Sequence, residues 1–351
     1  MRPLRIFTWH VHGNYLYYLT HSSPHEFYLP VGRDTPGYAG AAPGFPWSPR
    51  VKDVPIELIP STTFDLVLYQ SRDHYLTDRF EILSKLQQQL PAIFLEHDPP
   101  EGHPTDTRHV VDDPAMTLVH VTSFNQLMWD SGNTPSVVIE HGVVVPDDVT
   151  YTGELDKGLV VVNGLRRRGR RLGADIFESV RRRIPLDLVG MESEEMGGLG
   201  EISHEELPRF MCRYRFVFNP IRYTSLGLAV CEAMSLGVPI VGLATTEMVT
   251  AVENGRSGYL ATDVERLIPH MRHLLHDHAD AQRLSQGAKS AARRFAIQRF
   301  TDDWNQLFNR VAAQAGRHCG DLVAGENGHL RRTWQAPEPS VAGLPSGKTT
   351  S

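Results

Sequence analysis

Short apolar runs alternate with stretches of helical period along most of this chain. RIFTWHV (5–11), DLVLYQS (65–71), AIFLEH (92–97), LVHVTS (118–123) and SVVIEHG (136–142) are brief, apolar and bounded by polar or turn residues, the pattern of buried strands. RFEILSKLQQQL (79–90) carries its apolar residues at helical spacing and predicts an amphipathic helix between two of them. The Pro- and Gly-rich stretch 30–50 predicts a loop, and the polar, turn-rich PDDVTYTGELDKG (146–158) a linker. The alternation then restarts. GLVVVNG (158–164), LDLVGM (186–191), FVFNP (216–220) and PIVGLA (239–244) predict strands, with helices over 174–183, 204–214 and 226–236. From 264 to 315 the pattern is almost wholly helical, and after Gly316 the rise in Gly, Pro, Ser and Thr predicts a disordered tail, 317–351.

Regular strand–helix alternation implies parallel sheets covered by helices on both faces. Its restart after a linker implies two such domains, 1–150 and 151–316, the second including the terminal helices. Ligands of open parallel sheets bind outside the carboxyl ends of the strands. Two facing domains of this kind would hold theirs in the cleft between them.

Within YTSLGLAVCEAMSLGVP (223–239), only Gly227, Glu232 and Ser235 interrupt an apolar run from Leu226 to Leu236. Thr224 or Ser225 suits a helix N-cap, Gly237 suits the residue just past the end, and Pro239 prevents continuation. A helix apolar on nearly every side is buried. An ionised carboxylate in it is costly unless paired. Glu232 therefore needs a partner: a neighbouring cation or backbone N–H, or a ligand hydroxyl pair such as that of a ribose. Gly227 at the helix start would let backbone N–H groups approach a phosphate.

These residues carry a resemblance. FVFNPIRYTSLGLAVCEAMSLGVPIVG resembles the donor-site segment of the retaining glycosyltransferases of family 4, which have the GT-B fold. The matching positions are Pro220, Gly227, Glu232-Ala233-Met234, Gly237 and Pro239-Ile240-Val241. VENGRSGYL (252–260) is similar to the family's following turn, and the helices beyond it to the family's C-terminal helices. The resemblance implies an α/β protein of GT-B architecture, two Rossmann-like parallel-sheet domains facing across a cleft. The N-terminal one would bind the acceptor and the C-terminal one the nucleotide-diphosphate sugar. It implies no cofactor and no metal. Its Glu-x7-Glu pair falls on Thr224 and Glu232, so the first carboxylate, which contacts the donor sugar, is replaced by a hydroxyl.

Glu232 would then hold the ribose, and the loop Thr224, Ser225, Leu226 and Gly227 the donor phosphates. In LRRRGRRLG (165–173), Arg167 and Arg171 align with the family's diphosphate-facing cations; a solvated basic face is the alternative. His97, in the His-Asp pair after a first-domain strand, would approach the donor sugar as the catalytic residue. His12-Gly13 matches the family's glycine-rich loop near the acceptor. Glu247, in ATTEM (244–248), stands at a strand end where it could touch donor or acceptor, or cap the next helix. The histidines of HMRHLLHDH (270–278) drift around a helix and read as a solvated face.

Composition narrows the partners. A net charge of −6 argues against a nucleic-acid binder acting by overall attraction. Three scattered cysteines suggest a reducing compartment. No run reaches the roughly 18 apolar residues of a membrane span, and the N-terminus lacks a cleavage signature, so a cytoplasmic location is expected. The function expected is sugar transfer, with retention, to a glycan or glycolipid acceptor in polysaccharide or lipopolysaccharide assembly. Analogy adds a peripheral contact with the cytoplasmic face of the inner membrane. The alternatives are a nucleotide-sugar epimerase or hydrolase of the same fold, and a non-catalytic degenerate GT-B module.

Overall fold

The structure, a computed structural model, describes residues 2–324. Among these, seven strands form one parallel sheet: β1 (Arg5–Thr8), β2 (Glu26–Val31), β3 (Val51–Pro55), β4 (Leu66–Tyr69), β5 (Ala92–Glu96), β6 (Thr117–His120) and β7 (Ser136–Val138), in the order β3-β2-β1-β4-β5-β6-β7. Five more form a second parallel sheet: β8 (Leu155–Val161), β9 (Leu186–Val189), β10 (Tyr214–Asn219), β11 (Ile240–Leu243) and β12 (Gly258–Ala261), in the order β12-β11-β10-β8-β9. Each order reverses once, between β1 and β4 in the first sheet and between β8 and β10 in the second. A reversal point leaves a crevice at the strand ends where loops on both sides diverge. The loops after β1, β8 and β10 are therefore placed to build a site.

The predicted strands are all present, mostly shorter than their apolar runs. β2, β3 and β12 were not legible, and β12 begins within the segment 252–260 expected as a turn. β3 is an edge strand, VKDVP, with two valines and a terminal proline, and an edge needs no continuous apolar run. The helix α1 (Gly13–His21) was also hidden, because its sequence opens on Gly and Asn and is then buried from Tyr15 through Thr20 with no polar face. The predicted helix over 79–90 is broken. A short helix α2 (Arg79–Ile82) stops at Leu83, whose backbone is extended. Ser84 and Gln87 then cap a new turn reciprocally: the Ser84 N–H donates to Gln87 Oε1 at 2.8 Å and the Gln87 N–H to Ser84 Oγ at 3.3 Å. This is a capping box, and it competes with continuation of the helix.

Helix α3 (Ser123–Met128) follows β6, and α4 (Leu165–Leu172) and α5 (Ala174–Arg181) follow β8. Then come α6 (Leu207–Met211), α7 (Leu228–Leu236), α8 (Met248–Ala251), α9 (Val264–His276), α10 (His278–Ala291) and α11 (Ile297–Ala324). The arginine-rich stretch is thus helical, with a non-helical backbone at Gly169.

Helix α11 changes the expected partition. Its buried residues Phe300, Trp304, Leu307, Phe308 and Val311 recur at helical spacing. They pack on the first domain, where Trp304 Nε1 donates to Tyr15 Oη at 3.2 Å and the Phe308 ring meets Phe27 at 6.1 Å. Each fully buried aromatic of this kind contributes about 1.5–3 kcal/mol of burial. The chain therefore crosses between domains twice, and the crossings touch, with the Val143 N–H donating to the Phe295 carbonyl at 3.0 Å. The helix also continues to Ala324, so residues 317–324 are helical where a tail was expected; the rest of that tail, 325–351, lies outside the described residues.

Candidate functional site

Between the domains lies a cleft of about 770 Å³. From the first domain it is lined by Val11 to Tyr15, at the junction of β1 and α1, and by Pro43, Gly44 and Phe45. From the second it is lined by the ends of β8 and β9, by Arg168, by Glu201 to His204, and by Thr224, Gly227, Leu228, Ala229 and Glu232. It thus spans both crevices that the strand orders create.

Glu232 is 6% exposed on α7 and opens onto this cleft. Its Oε1 accepts from the Tyr18 hydroxyl at 2.7 Å, a contact between the two domains. Among the described residues no cation forms an ion pair with it. Burial pushes its pKa up, and hydrogen bonds from Tyr18 and Asn14 oppose the shift. The structure therefore supplies neutral donors from the first domain and leaves the carboxylate facing open space.

The start of α7 differs from expectation. Its N-cap is Gly227, with no side-chain cap, and not Thr224 or Ser225. Thr224 stands in the loop and lines the cleft, while Ser225 and Leu226 are buried behind it, 8% and 4% exposed. The Ser225 carbonyl accepts from Thr246 Oγ1 at 3.3 Å, and Thr246 holds a positive φ of 50°. Gly227, Leu228 and Ala229, the start of α7, line the cleft, and no side chain caps the first N–H groups. Helix starts of this kind favour anions.

The arginines sort differently from the sequence reading. Arg168 lines the cleft. Arg167 does not; it is 67% exposed and pairs with Glu192 at 3.1 Å. Arg171 is held by the first domain, 2.6 Å from Glu101 and 3.7 Å from Asp98, and it also donates to the Tyr223 carbonyl. The reason is local: Arg167 and Arg168 are neighbours on the first turn of α4 and so point about 100° apart, while the non-helical backbone at Gly169 separates both from Arg171.

His12 and Gly13 line the cleft as expected from their position after β1. His97 is not among the lining residues. It sits half-buried beneath His12, ring centroids 4.2 Å apart, with Nε2 3.1 Å from Gln70 Oε1. Desolvation lowers the pKa of both rings, with Arg168 adding to the shift at His12 and the neighbouring His12 adding to it at His97. Glu247 lies outside the cleft as well. It is 4% exposed and accepts from the Phe124 N–H at 2.9 Å, so it bridges the second domain to the start of α3.

Sequence reasoning missed Asn14, Tyr18, Phe45, Arg168 and the 201–204 segment. Asn14 and Tyr18 stand four apart on α1, the one signal that could have paired them. Among the described residues no three His, Cys, Asp or Glu side chains are grouped as metal ligands.

The buried histidines have a consequence for stability. Burial pulls His74 and His141 down to about 4 and His120 to about 3. The unfolded chain takes up these protons near the ordinary histidine value, about 6.5, whereas the folded chain resists until far lower. Stability is therefore full above about pH 6.5 and lost as pH falls toward the folded values. The melting temperature followed by dye fluorescence should decline steadily from about pH 7 to about pH 5; a flat profile would contradict neutral buried rings.

Residues 169–277 match the family described as Glycosyl transferases group 1. A D-inositol 3-phosphate glycosyltransferase from Nocardioides is 30% identical over 115 residues, 32% of this chain and 25% of the relative. The aligned part thus spans about a quarter of that relative's length. Among solved structures, sucrose-phosphate synthase from Thermosynechococcus elongatus superposes with a TM-score of 0.64 at 15% identity, over 90% of this chain and 100% of the other. Anabaena HepE in complex with UDP-glucose superposes with a TM-score of 0.65 at 13% identity, over 88% of this chain and 100% of the other. The two parallel-sheet domains are those of the GT-B fold.

Proposed function

We propose that this chain is a glycosyltransferase that moves a sugar from a nucleotide-diphosphate sugar to an acceptor hydroxyl with retention of configuration. One observation carries the reading: a buried carboxylate, Glu232, opens onto an interdomain cleft with no ion-pair partner among the described residues. It lies on the helix whose uncapped start faces the same space. A carboxylate that accepts from a ribose hydroxyl pair, little more than one helical turn from a phosphate-binding terminus, suits a nucleoside diphosphate. The match to glycosyl transferases group 1 and the UDP-glucose complex of HepE support the same donor class.

In this reading Glu232 holds the ribose, and the N–H groups at the start of α7, with Arg168, hold the diphosphate. Thr224 offers the donor sugar a hydroxyl. His12, supported from below by His97, faces the sugar from the first domain. The acceptor oxygen attacks the anomeric carbon on the face from which the diphosphate leaves. As the carbon–phosphate oxygen bond breaks, that phosphate oxygen takes the acceptor's proton. Arg168 stabilises the charge growing on the leaving group. We place the reaction in polysaccharide, lipopolysaccharide or glycolipid assembly on the cytoplasmic side of a membrane, following the family resemblance.

A second reading, a sugar-nucleotide-binding domain without transfer, is favoured by one contact: Arg171 is engaged by Glu101 instead of facing the cleft. The experiment that separates the readings begins with thermal shifts by UDP, GDP and ADP. Incubation of the corresponding nucleotide sugars with membrane extract then tests transfer. Stabilisation without turnover supports the binding domain, sugar release into water alone supports a hydrolase, and no stabilisation at all removes the donor site.

The arginines give a sharper test. Arg168→Ala should weaken diphosphate binding about 10-fold, the size expected for a charge-assisted contact of about 1.5 kcal/mol. Arg167→Ala should leave it unchanged, because an exposed pair with Glu192 contributes little. Titration calorimetry with the stabilising nucleotide reads both; the reverse ranking would restore the sequence-based assignment.

A further inference from the structure

The contact between Tyr18 and Glu232 has a geometry that assigns Tyr18 a role. Tyr18 is fully buried on α1 of the first domain, and its hydroxyl reaches one oxygen of a carboxylate that belongs to the second. Asn14, one turn earlier on the same face, also lines the cleft and pulls on the same carboxylate. The helix carrying these two donors is anchored from behind, where Trp304 of α11 donates to Tyr15. Resting on the donor-site reading above, we propose that Tyr18 is a positioning residue for nucleotide binding: it fixes Glu232 from the opposite domain, occupying Oε1 so that Oε2 meets the nucleoside hydroxyls.

Two consequences follow from the placement. The nucleoside subsite is complete only when the domains are together, because its acceptor comes from one and the group that orients it from the other. A hydroxyl donor also favours the ionised carboxylate, the form that accepts from both ligand hydroxyls. The other titratable or charged groups around this carboxylate are Cys231 beside it on α7, Tyr17 next to Tyr18 on α1, and His204, whose ring lies 5.6 Å from that of Tyr18; His12, Glu201 and Arg168 share the cleft. Burial lifts the Cys231 thiol and depresses His204, so both are neutral near pH 7 and neither substitutes for Tyr18.

The test is a double-mutant cycle in the full chain, with Tyr18→Phe, Glu232→Gln and the pair, titrated with UDP, GDP and ADP at several pH values. Tyr18→Phe keeps the ring and its packing. It should weaken binding of the preferred nucleotide about 10-fold near neutral pH. It should also shift upward the pH below which affinity is lost, since Glu232 then protonates more readily. In the Glu232→Gln background the same substitution should change affinity less than about two-fold. A Tyr18→Phe variant with wild-type affinity and pH profile overturns the proposal, as does an equal loss in both backgrounds, which marks a general packing effect. Failure of the donor-site reading looks different: Glu232→Gln alone would then leave nucleotide affinity unchanged.

Discussion

Glu232→Gln should reduce nucleotide affinity on the order of 10- to 100-fold, the range set by about 1.5–3 kcal/mol for hydrogen bonds to a charged group. The substitution preserves volume, and its amide oxygen can still accept from Tyr18, so the domain contact survives. What is lost is a carboxylate accepting from two ligand hydroxyls at once. Protein stability should move the other way. Burial raises the Glu232 pKa, so the ligand-free folded state holds its proton to higher pH than the unfolded chain does. Stability contributed by the protonated form is therefore full below the ordinary glutamate range and declines as pH rises through the raised value. Glutamine removes that decline. Ligand-free Glu232→Gln should melt no lower than wild type at pH 8 while binding nucleotide far more weakly. Titration calorimetry and thermal melting separate the two effects, and unchanged affinity would end the ribose assignment.

Gly173→Ala should be the most damaging small substitution near the site. Gly173 joins α4 to α5 with a φ of 84°, and an added Cβ would lie 2.1 Å from the Pro220 carbonyl oxygen. Neither atom can move independently. The backbone after Pro220 is docked on the same junction, where the Arg222 and Tyr223 N–H groups donate to the Arg171 carbonyl at 3.0 and 3.3 Å. Left-handed backbone alone costs about 1–2 kcal/mol for a residue with a side chain; backbone collision adds to it, for a total of about 3–4 kcal/mol. Gly255→Ala is the control. Its φ is 79° but nothing stands within 4 Å of the added carbon, so it should cost only the first part. Denaturant melts of the two variants read the difference, and equal losses would show that the Pro220 loop yields easily. Because that loop leads into Thr224 and Gly227, Gly173→Ala should also weaken nucleotide binding.

Much of the fold was legible. Nearly continuous apolar strands separated by helical stretches can bury themselves only as parallel sheets with helices on both faces, and the chain shows two of them. Glu232 was legible for the same reason, since a carboxylate in an apolar helix must meet something. α1 was not, because a helix buried on every side has no polar stripe to report its period. Which arginine lines the cleft was not legible either, because neighbours on one helical turn point about 100° apart and spacing does not say which of them meets the other domain.

Other features were decided only in three dimensions. α11 reads as one more helix of the second domain until its aromatic face is seen against the first. Thr224 and Ser225 have the chemistry of helix caps, yet the helix begins two residues later than expected, at Leu228, with no side chain capping its start. His97 and Glu247 sit at strand ends, as expected, but contacts with His12 and Phe124 turn one beneath the cleft and the other into a bridge. Period and polarity along a chain determine which segments must be covered. They do not carry the identity of the covering partner, because contacts such as Tyr18 to Glu232 join residues whose local patterns are independent and which only the closed packing of two domains brings within 2.7 Å.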